Sequence, residues 1–205
     1  MPLFKILKIQ EGLIGIWKIN ENDLHSNTLI NNSSGYHPNF KNYKNKHKKA
    51  QVLCTRSLAN ELFPNHQLEK NDFGKPELRP DSYSISISNT KDLIVMIGSN
   101  KKCGIDIESS ERNIMKIKDK FINEYDFSYN GNNEDLLWTW CAKECMYKIY
   151  GTPEIFFKEH LQIKSIDKNT LVGECCHEKF LFKCQINKMI IDNQFLVYTS
   201  NFEAN

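Results

Sequence analysis

Two stretches of this chain place charged side chains where a protein core would normally hold apolar ones. The first, residues 104–108, reads GIDIE and is typical of a short strand. Side chains alternate along a strand, so the two isoleucines face one way while Asp106 and Glu108 face the other. Their Cα atoms would lie roughly 7 Å apart, a spacing at which two carboxylates can share a cation. Without a cation the two charges repel, and each loses hydration if the site is enclosed.

The second stretch, residues 134–151, reads EDLLWTWCAKECMYKIYG and predicts a helix. At about 100° per residue, one stripe of this helix combines apolar side chains with two charged ones. The stripe consists of Leu137, Trp140, Cys141, Glu144 and Lys148. We therefore expect Glu144 and Lys148 on the apolar side of the helix and not on its solvated side.

Each stretch also has an ordinary structural interpretation. Asp106 and Glu108 would be the exposed face of an edge strand. Glu144 and Lys148 would be an i,i+4 ion pair in the favourable order, worth about 0.2–0.5 kcal/mol. The presence of both stretches in one chain favours a functional site, but these alternatives remain open.

Length, composition and charge restrict the class of protein. A chain of 205 residues with 40% hydrophobic residues can bury a core as one domain or as two small lobes. The net charge of +2 argues neither for nor against a nucleic-acid partner. No stretch approaches the ~20 apolar residues of a membrane span, and the N-terminal residues do not resemble a secretory signal. We expect a cytoplasmic protein that binds neither nucleic acid nor membranes.

The seven cysteines are odd in number and form no CxxC pair. This pattern is typical of reduced cytosolic thiols, most of which fill core space. Cys141 and Cys145 share the predicted helix, but no nearby residues complete a zinc set. A metal–thiolate site is therefore not expected.

Hydrophobic periodicity predicts the remaining elements. In the first half we expect strands at 3–9, 13–19, 83–89 and 92–98, a short helix at 23–29 and a helix at 46–62. The core positions of that second helix would be Ala50, Leu53, Leu58 and Leu62. In the second half we expect a helix at 114–122 and a meander of strands at 160–166, 170–174, 179–187 and 194–200. The turn at 99–102 is the expected boundary, which gives lobes of 1–100 and 101–205.

A polar stretch at 31–49 is expected to be an exposed loop and ends in a run of basic residues. The run consists of Lys41, Lys44, Lys46, His47, Lys48 and Lys49. It is either a solvated face or a rim that attracts phosphates or acidic partners.

GIDIE followed by WCAKECMYKIYG resembles the two signature motifs of the 4′-phosphopantetheinyl transferases, both in internal spacing and in order along the chain. The likeness is to the surfactin-synthetase-activating type, in which two similar halves lie on one chain. It covers about residues 45 to 165. It implies an α+β fold of two pseudo-symmetric lobes, each a small antiparallel sheet with packed helices, and a coenzyme cleft between the lobes. A monomer is also implied.

The resemblance implies an activity and roles for five residues. The family transfers the 4′-phosphopantetheine arm of coenzyme A to a serine of an apo acyl or peptidyl carrier protein and releases adenosine 3′,5′-bisphosphate. Asp106, Glu108 and Glu144 would hold Mg²⁺, which prefers oxygen donors. Glu144 would accept the serine proton. Lys148 would stabilise or protonate the leaving phosphate, and Lys143 would add positive charge nearby.

Three basic residues match the family's coenzyme-binding helix, on which basic side chains contact phosphates. They are Lys48, Lys49 and Arg56; Arg56 would equally suit a buried ion pair. Lys75 lies in a Gly-Lys-Pro sequence like the one in the family whose lysine contacts the coenzyme.

One strand departs from the family pattern. Where the family usually reads S-I-S-H-S, this chain has Ser88 followed by Asn89. The resemblance implies that Ser88 and Asn89 bind the coenzyme, with Asn89 at the place of the histidine that in the family contacts the 3′-phosphate. Two other functions remain open: a catalytically weak relative that binds coenzyme A or a carrier protein without efficient transfer, and a plain metal-binding domain.

Overall fold

The structure is a computed structural model that describes residues 3–20, 44–165 and 167–204. Helices and antiparallel sheets are mixed along the chain, so the predicted α+β class is confirmed. The chain divides into two compact units, Met1–Asn100 and Lys101–Asn205. The predicted helix at 23–29 and the basic residue Lys41 lie outside the described residues.

The first unit is built on a four-stranded antiparallel sheet. Its strands are β1 (Leu3–Ile9), β2 (Gly12–Lys18), β5 (Ser84–Asn89) and β6 (Leu93–Ser99), in the spatial order β1-β2-β6-β5. Helix α1 (Lys46–Leu62) contacts β2 and β6. All four predicted core positions of this helix are buried, so its amphipathic reading is confirmed.

The first unit also contains a small hairpin that the sequence did not predict as strands. β3 (Gln67–Lys70) pairs with β4 (Pro76–Arg79) around the predicted turn at 72–76. Each strand is four residues long with a single leucine at its second or third position. No alternation of apolar and polar residues is visible over so short a run.

The second unit is built on a five-stranded antiparallel sheet. Its strands are β7 (Gly104–Ser109), β8 (Leu161–Ser165), β9 (Thr170–His177), β10 (Phe180–Ile191) and β11 (Gln194–Ala204), in the spatial order β7-β11-β10-β9-β8. The predicted meander is confirmed, and β7 is added at its edge beside β11. Helix α2 (Asn133–Tyr150) contacts β7 and β11.

The limits of α2 follow from its end residues. Asn132 and Asp135 form a reciprocal capping box at the start. Gly151, with a φ of 65°, ends the helix in the left-handed region that glycine adopts readily. A 3₁₀ helix (Met115–Lys120) replaces the α-helix expected at 114–122, since so short a segment is a marginal α-helix. A short helix α3 (Phe157–His160) follows α2.

Gly104 lets β7 pack directly on the backbone of α2. A Cβ at this position would lie 2.1 Å from the carbonyl oxygen of Cys145, so no larger residue fits without a shift of strand or helix. This close approach brings Asp106 near the charged residues of the helix. The glycine of the GIDIE motif therefore has a packing role in the candidate site.

The described cysteines carry no disulfide. All seven are free thiols; six are buried and Cys176 is exposed. The prediction that most of the cysteines fill core space is confirmed. None of the helices in the described ranges has both the length and the apolar content needed to cross a bilayer.

Candidate active site

Asp106 lies beneath helix α2 and is only 3% exposed, although β7 is an edge strand of its sheet. The side chain of Glu108, two residues further on, is 16% exposed. The interpretation of these two residues as the solvated face of an edge strand is therefore wrong. Their enclosure requires compensating charge or hydrogen bonds from the surrounding elements.

Lys148 supplies that compensation to Asp106. Its Nζ lies 2.7 Å from Asp106 Oδ1 and donates a second hydrogen bond to the carbonyl oxygen of Ile105 at 3.2 Å. Burial alone would lower the pKa of Lys148, but attraction to Asp106, the hydrogen bond to it and attraction to Glu144 raise the pKa overall. Lys148 therefore stays charged, and its ion pair is with Asp106, not simply an i,i+4 pair on the helix surface.

Two donors hold Glu108. Trp140 Nε1 donates to Glu108 Oε1 at 2.9 Å, and the guanidinium of Arg112 forms an ion pair with the same oxygen. The Arg112 guanidinium also lies 5.0 Å from the centre of the Trp140 ring. Sequence reasoning missed Arg112; its position four residues after Glu108 was the available signal.

Glu144 is partly buried and couples to both of these groups. Burial raises its pKa to about 7; the negative charges of Asp106 and Glu108 also raise it, while Lys148 and Arg112 lower it. No hydrogen bond holds the Glu144 carboxylate within the part of the chain that the structure describes. A carboxyl group with this pKa can accept or release a proton near neutral pH.

Asp106, Glu108 and Glu144 offer carboxylate oxygens, the type of ligand that a hard divalent cation prefers. Among the described residues, no three His, Cys, Asp or Glu side chains already form a metal site. Lys148 and Arg112 instead neutralise two of the carboxylates. Mg²⁺ usually takes one or two carboxylates and completes its octahedron with water and substrate phosphates. These residues could therefore hold a Mg²⁺ ion that takes further ligands from water and phosphate.

The structure does not bring Lys143 to these carboxylates. Lys143 is completely buried, and its Nζ donates to Asp126 Oδ2 at 2.7 Å and to the carbonyl oxygens of Phe121 at 2.6 Å and Phe157 at 3.2 Å. One residue along a helix is a rotation of about 100°, so neighbours in sequence point to different surroundings. The positive charge of Lys143 is paired with Asp126 and does not lie beside Asp106, Glu108 and Glu144, so the expectation that Lys143 adds charge to the site is wrong.

The predicted coenzyme-binding residues all belong to the first unit. Lys48 is exposed on α1, while Lys49 and Arg56 are half-buried, and burial lowers the pKa of Arg56. Gln51 Nε2 donates to the carbonyl oxygen of Thr90 at 3.1 Å, which joins α1 to the β5–β6 turn. Since Lys48 is three residues before Gln51, it lies on the side of the helix that meets this turn.

Ser88 and Asn89 end strand β5 at the same turn. Ser88 is half-buried, and Asn89 is exposed with its Nδ2 3.5 Å from the carbonyl oxygen of Thr90. Gln51 on α1 and Asn89 on β5 therefore contact the same carbonyl oxygen, that of Thr90. Lys75 lies in the β3–β4 loop, where its backbone N–H donates to Asn71 Oδ1 at 3.0 Å.

Comparisons with known proteins add no family assignment: no family model matches the chain, and no curated protein matches its sequence. The resemblance to the phosphopantetheinyl transferases rests on the motif residues alone.

Proposed function

We propose that this chain transfers the 4′-phosphopantetheine arm of coenzyme A to a serine of an apo acyl or peptidyl carrier protein, with Mg²⁺ as cofactor. The observation that carries this proposal is the buried contact of Asp106 with Lys148, beside Glu108 and a partly buried Glu144 whose pKa is about 7. The motif resemblance supports the same activity. The coenzyme would lie in a cleft between two lobes of a cytoplasmic monomer.

In this proposal three carboxylates hold the metal ion. Asp106, Glu108 and Glu144 would bind Mg²⁺, which when bound neutralises charge on the diphosphate of the coenzyme. Lys148 already lies against Asp106. From this position beside the proposed metal ligands, its ammonium group would stabilise negative charge on the leaving phosphate or donate a proton to it.

Glu144 accepts the proton of the carrier serine. The serine oxygen then forms a bond to the phosphorus atom that bears the pantetheine. The bond from that phosphorus to the bridging oxygen breaks, and the electron pair leaves with adenosine 3′,5′-bisphosphate. A serine hydroxyl is a poor nucleophile until a base takes its proton, and Glu144, partly buried beside Asp106 and Lys148, is the carboxylate proposed for that task.

The first unit supplies basic groups for the coenzyme. Lys48, Lys49, Arg56 and Lys75 would contact its phosphates, and Ser88 and Asn89 would add neutral hydrogen bonds. Lys44 is exposed and would attract a carrier protein with an acidic face.

A second function is favoured by one observation. Asn89 is neutral at the place where the family has histidine, and it is exposed at the end of β5. A weaker contact to the 3′-phosphate would by itself leave a working enzyme with a raised Michaelis constant for coenzyme A. The alternative function is that of a catalytically weak relative that binds coenzyme A or a carrier protein without efficient transfer.

Incubation with coenzyme A, Mg²⁺ and an apo carrier protein, followed by intact mass measurement, separates the two functions. A mass gain equal to the phosphopantetheine arm supports the transferase. Matched controls are a carrier with its serine replaced by alanine, a reaction in excess chelator, and the variant Glu174→Gln, whose carboxylate pairs with Lys183 on the surface. Binding of coenzyme A without any mass gain would support the binder instead.

A further inference from the structure

We propose that Trp140 is a positioning residue for Glu108, and that the buried pair of Lys143 and Asp126 holds Trp140 in place. This inference rests on the proposed function, since it gives Glu108 the task of a metal ligand. It assigns Lys143 a role one step removed from the chemistry.

The direct link is the bond from Trp140 Nε1 to Glu108 Oε1 at 2.9 Å. Arg112 binds the same oxygen, so Oε2 is the oxygen that neither donor occupies. Two donors on one oxygen restrict rotation of the carboxylate and present the other oxygen in a fixed direction. Outer partners of this kind set the orientation of metal ligands and typically alter metal affinity by 10–100-fold.

The Trp140 ring is itself restrained by two phenylalanines. Its ring centre lies 5.1 Å from that of Phe121, in an edge-on arrangement, and 5.5 Å from that of Phe157. Aromatic pairs at these separations favour particular relative orientations. A displacement of either phenylalanine would therefore move the indole N–H away from Glu108.

Lys143 fixes the backbone of both phenylalanines. Its Nζ donates to the carbonyl oxygens of Phe121 and Phe157, the residues whose rings contact Trp140. Lys143 and Trp140 are three residues apart on α2, so they lie on neighbouring parts of one helix face. Lys143 thus restrains Phe121 and Phe157 through their backbones, and the rings of these two phenylalanines restrain the indole of Trp140.

Asp126 completes this arrangement. Besides the Lys143 ammonium, its carboxylate accepts hydrogen bonds from the backbone N–H of Asn123 at 3.0 Å and of Ile163 at 2.8 Å. Both members of the pair have fully buried side chains. Buried ion pairs are often no more stabilising than apolar residues of the same volume. We therefore infer that the pair contributes mainly by fixing backbone positions, namely those of residues 121, 123, 157 and 163.

The test compares Trp140→Phe with Trp138→Phe on the same helix. Phenylalanine at 140 keeps an aromatic ring beside Phe121 and Phe157 but removes the N–H that binds Glu108. Trp138 packs against Phe195 at 4.4 Å and serves as the matched control. Binding of Mg²⁺ is measured by calorimetry in the presence of saturating coenzyme A and without carrier.

We expect Mg²⁺ to bind about tenfold more weakly to Trp140→Phe than to the wild type, and equally to Trp138→Phe and the wild type. Equal binding by all three proteins overturns the positioning role and leaves the proposed function standing. Equal weakening in both variants also overturns it, since loss of packing would then explain the effect. No Mg²⁺ binding by the wild type overturns the proposed function and this inference together.

A second measurement covers the case in which Trp140→Phe does not fold. The three tryptophans give three indole N–H resonances in ¹⁵N-edited spectra. We expect Glu108→Gln to shift the Trp140 resonance, and Asp126→Asn to shift it as well, while that of Trp17 stays unchanged. A Trp140 resonance that responds to neither variant overturns the proposal.

Discussion

The ammonium nitrogen of Lys148 lies 2.7 Å from Oδ1 of Asp106, a contact between residues 42 positions apart in the chain. It joins helix α2 to strand β7 inside the second unit. Because Asp106 is buried and Lys148 is partly so, each charge depends on the other for compensation. Substitution of Asp106 is therefore expected to change both the stability and the proposed activity, and a double variant with Lys148 separates the two effects.

Asp106→Asn should abolish transfer and lower the free energy of unfolding by about 2–3 kcal/mol, because the Lys148 charge then loses its partner. The double variant Asp106→Asn/Lys148→Met should recover part of that stability while transfer stays absent. Urea denaturation gives the stability, and intact mass of the carrier gives the transfer. Full transfer by Asp106→Asn at low Mg²⁺ would refute the role of this carboxylate.

Long periodic elements of this fold were predictable from the sequence. Helix α1 (Lys46–Leu62) matches the predicted 46–62 because its apolar positions recur at helical spacing and Asn45 caps its start. The strands of the meander alternate over enough residues to be recognised. The β3–β4 hairpin was missed because its four-residue strands carry almost no pattern.

The sequence predicted which residues belong to the candidate site better than it predicted which partners they contact. Side-chain alternation and helical spacing placed Asp106, Glu108, Glu144 and Lys148 near the core, and the structure agrees. Helical spacing gives the direction of a side chain but not what surrounds it. For that reason the partners of Lys143, which come from residues 121, 126 and 157, could not be read from the motif.

The stability of the metal-free protein should depend on pH through Glu144. Its pKa rises from 4.5 to about 7 in the folded state. Between these values the folded state binds more protons than the unfolded state, so stability falls as pH rises through this window. The loss should amount to about 2–3 kcal/mol. Urea denaturation in chelator from pH 4.5 to 7.5 should show a flatter profile for Glu144→Gln; identical profiles would contradict the assignment.

Lys143→Met should lower the free energy of unfolding by about 3–5 kcal/mol, because the Asp126 carboxylate would be left buried and uncompensated. The surface pair of Lys183 and Glu174, at 3.0 Å, provides the control. Lys183→Met should cost under about 1 kcal/mol. The free energy of unfolding of both variants is measured by urea denaturation. Similar losses would mean that the buried pair contributes no more to stability than the surface pair.

Lys49→Glu should weaken coenzyme A binding and make that binding less sensitive to salt. A basic residue near phosphates contributes attraction that ions screen, so reversal of its charge removes part of the salt dependence. Calorimetric titration at two salt concentrations measures both effects. Lys44→Glu should instead slow association with the carrier and leave coenzyme affinity unchanged. Unchanged coenzyme binding by Lys49→Glu would favour the interpretation of the basic run as an ordinary solvated face.

Asn89→His should tighten coenzyme A binding, most strongly at mildly acid pH. Asparagine can donate only a neutral hydrogen bond, whereas a protonated imidazole beside the 3′-phosphate would form a charge-assisted bond of roughly twice the strength. A gain of about 1.4 kcal/mol corresponds to about tenfold in affinity. Titrations with coenzyme A and with dephospho-coenzyme A at pH 6 and 8 measure this effect, and the gain should be confined to coenzyme A. Since Asn89 is exposed at the end of β5, the substitution should leave stability unchanged. An equal gain for both ligands would place Asn89 away from the 3′-phosphate. A wild type that binds coenzyme A without transfer, rescued by Asn89→His, would favour the binder over the transferase.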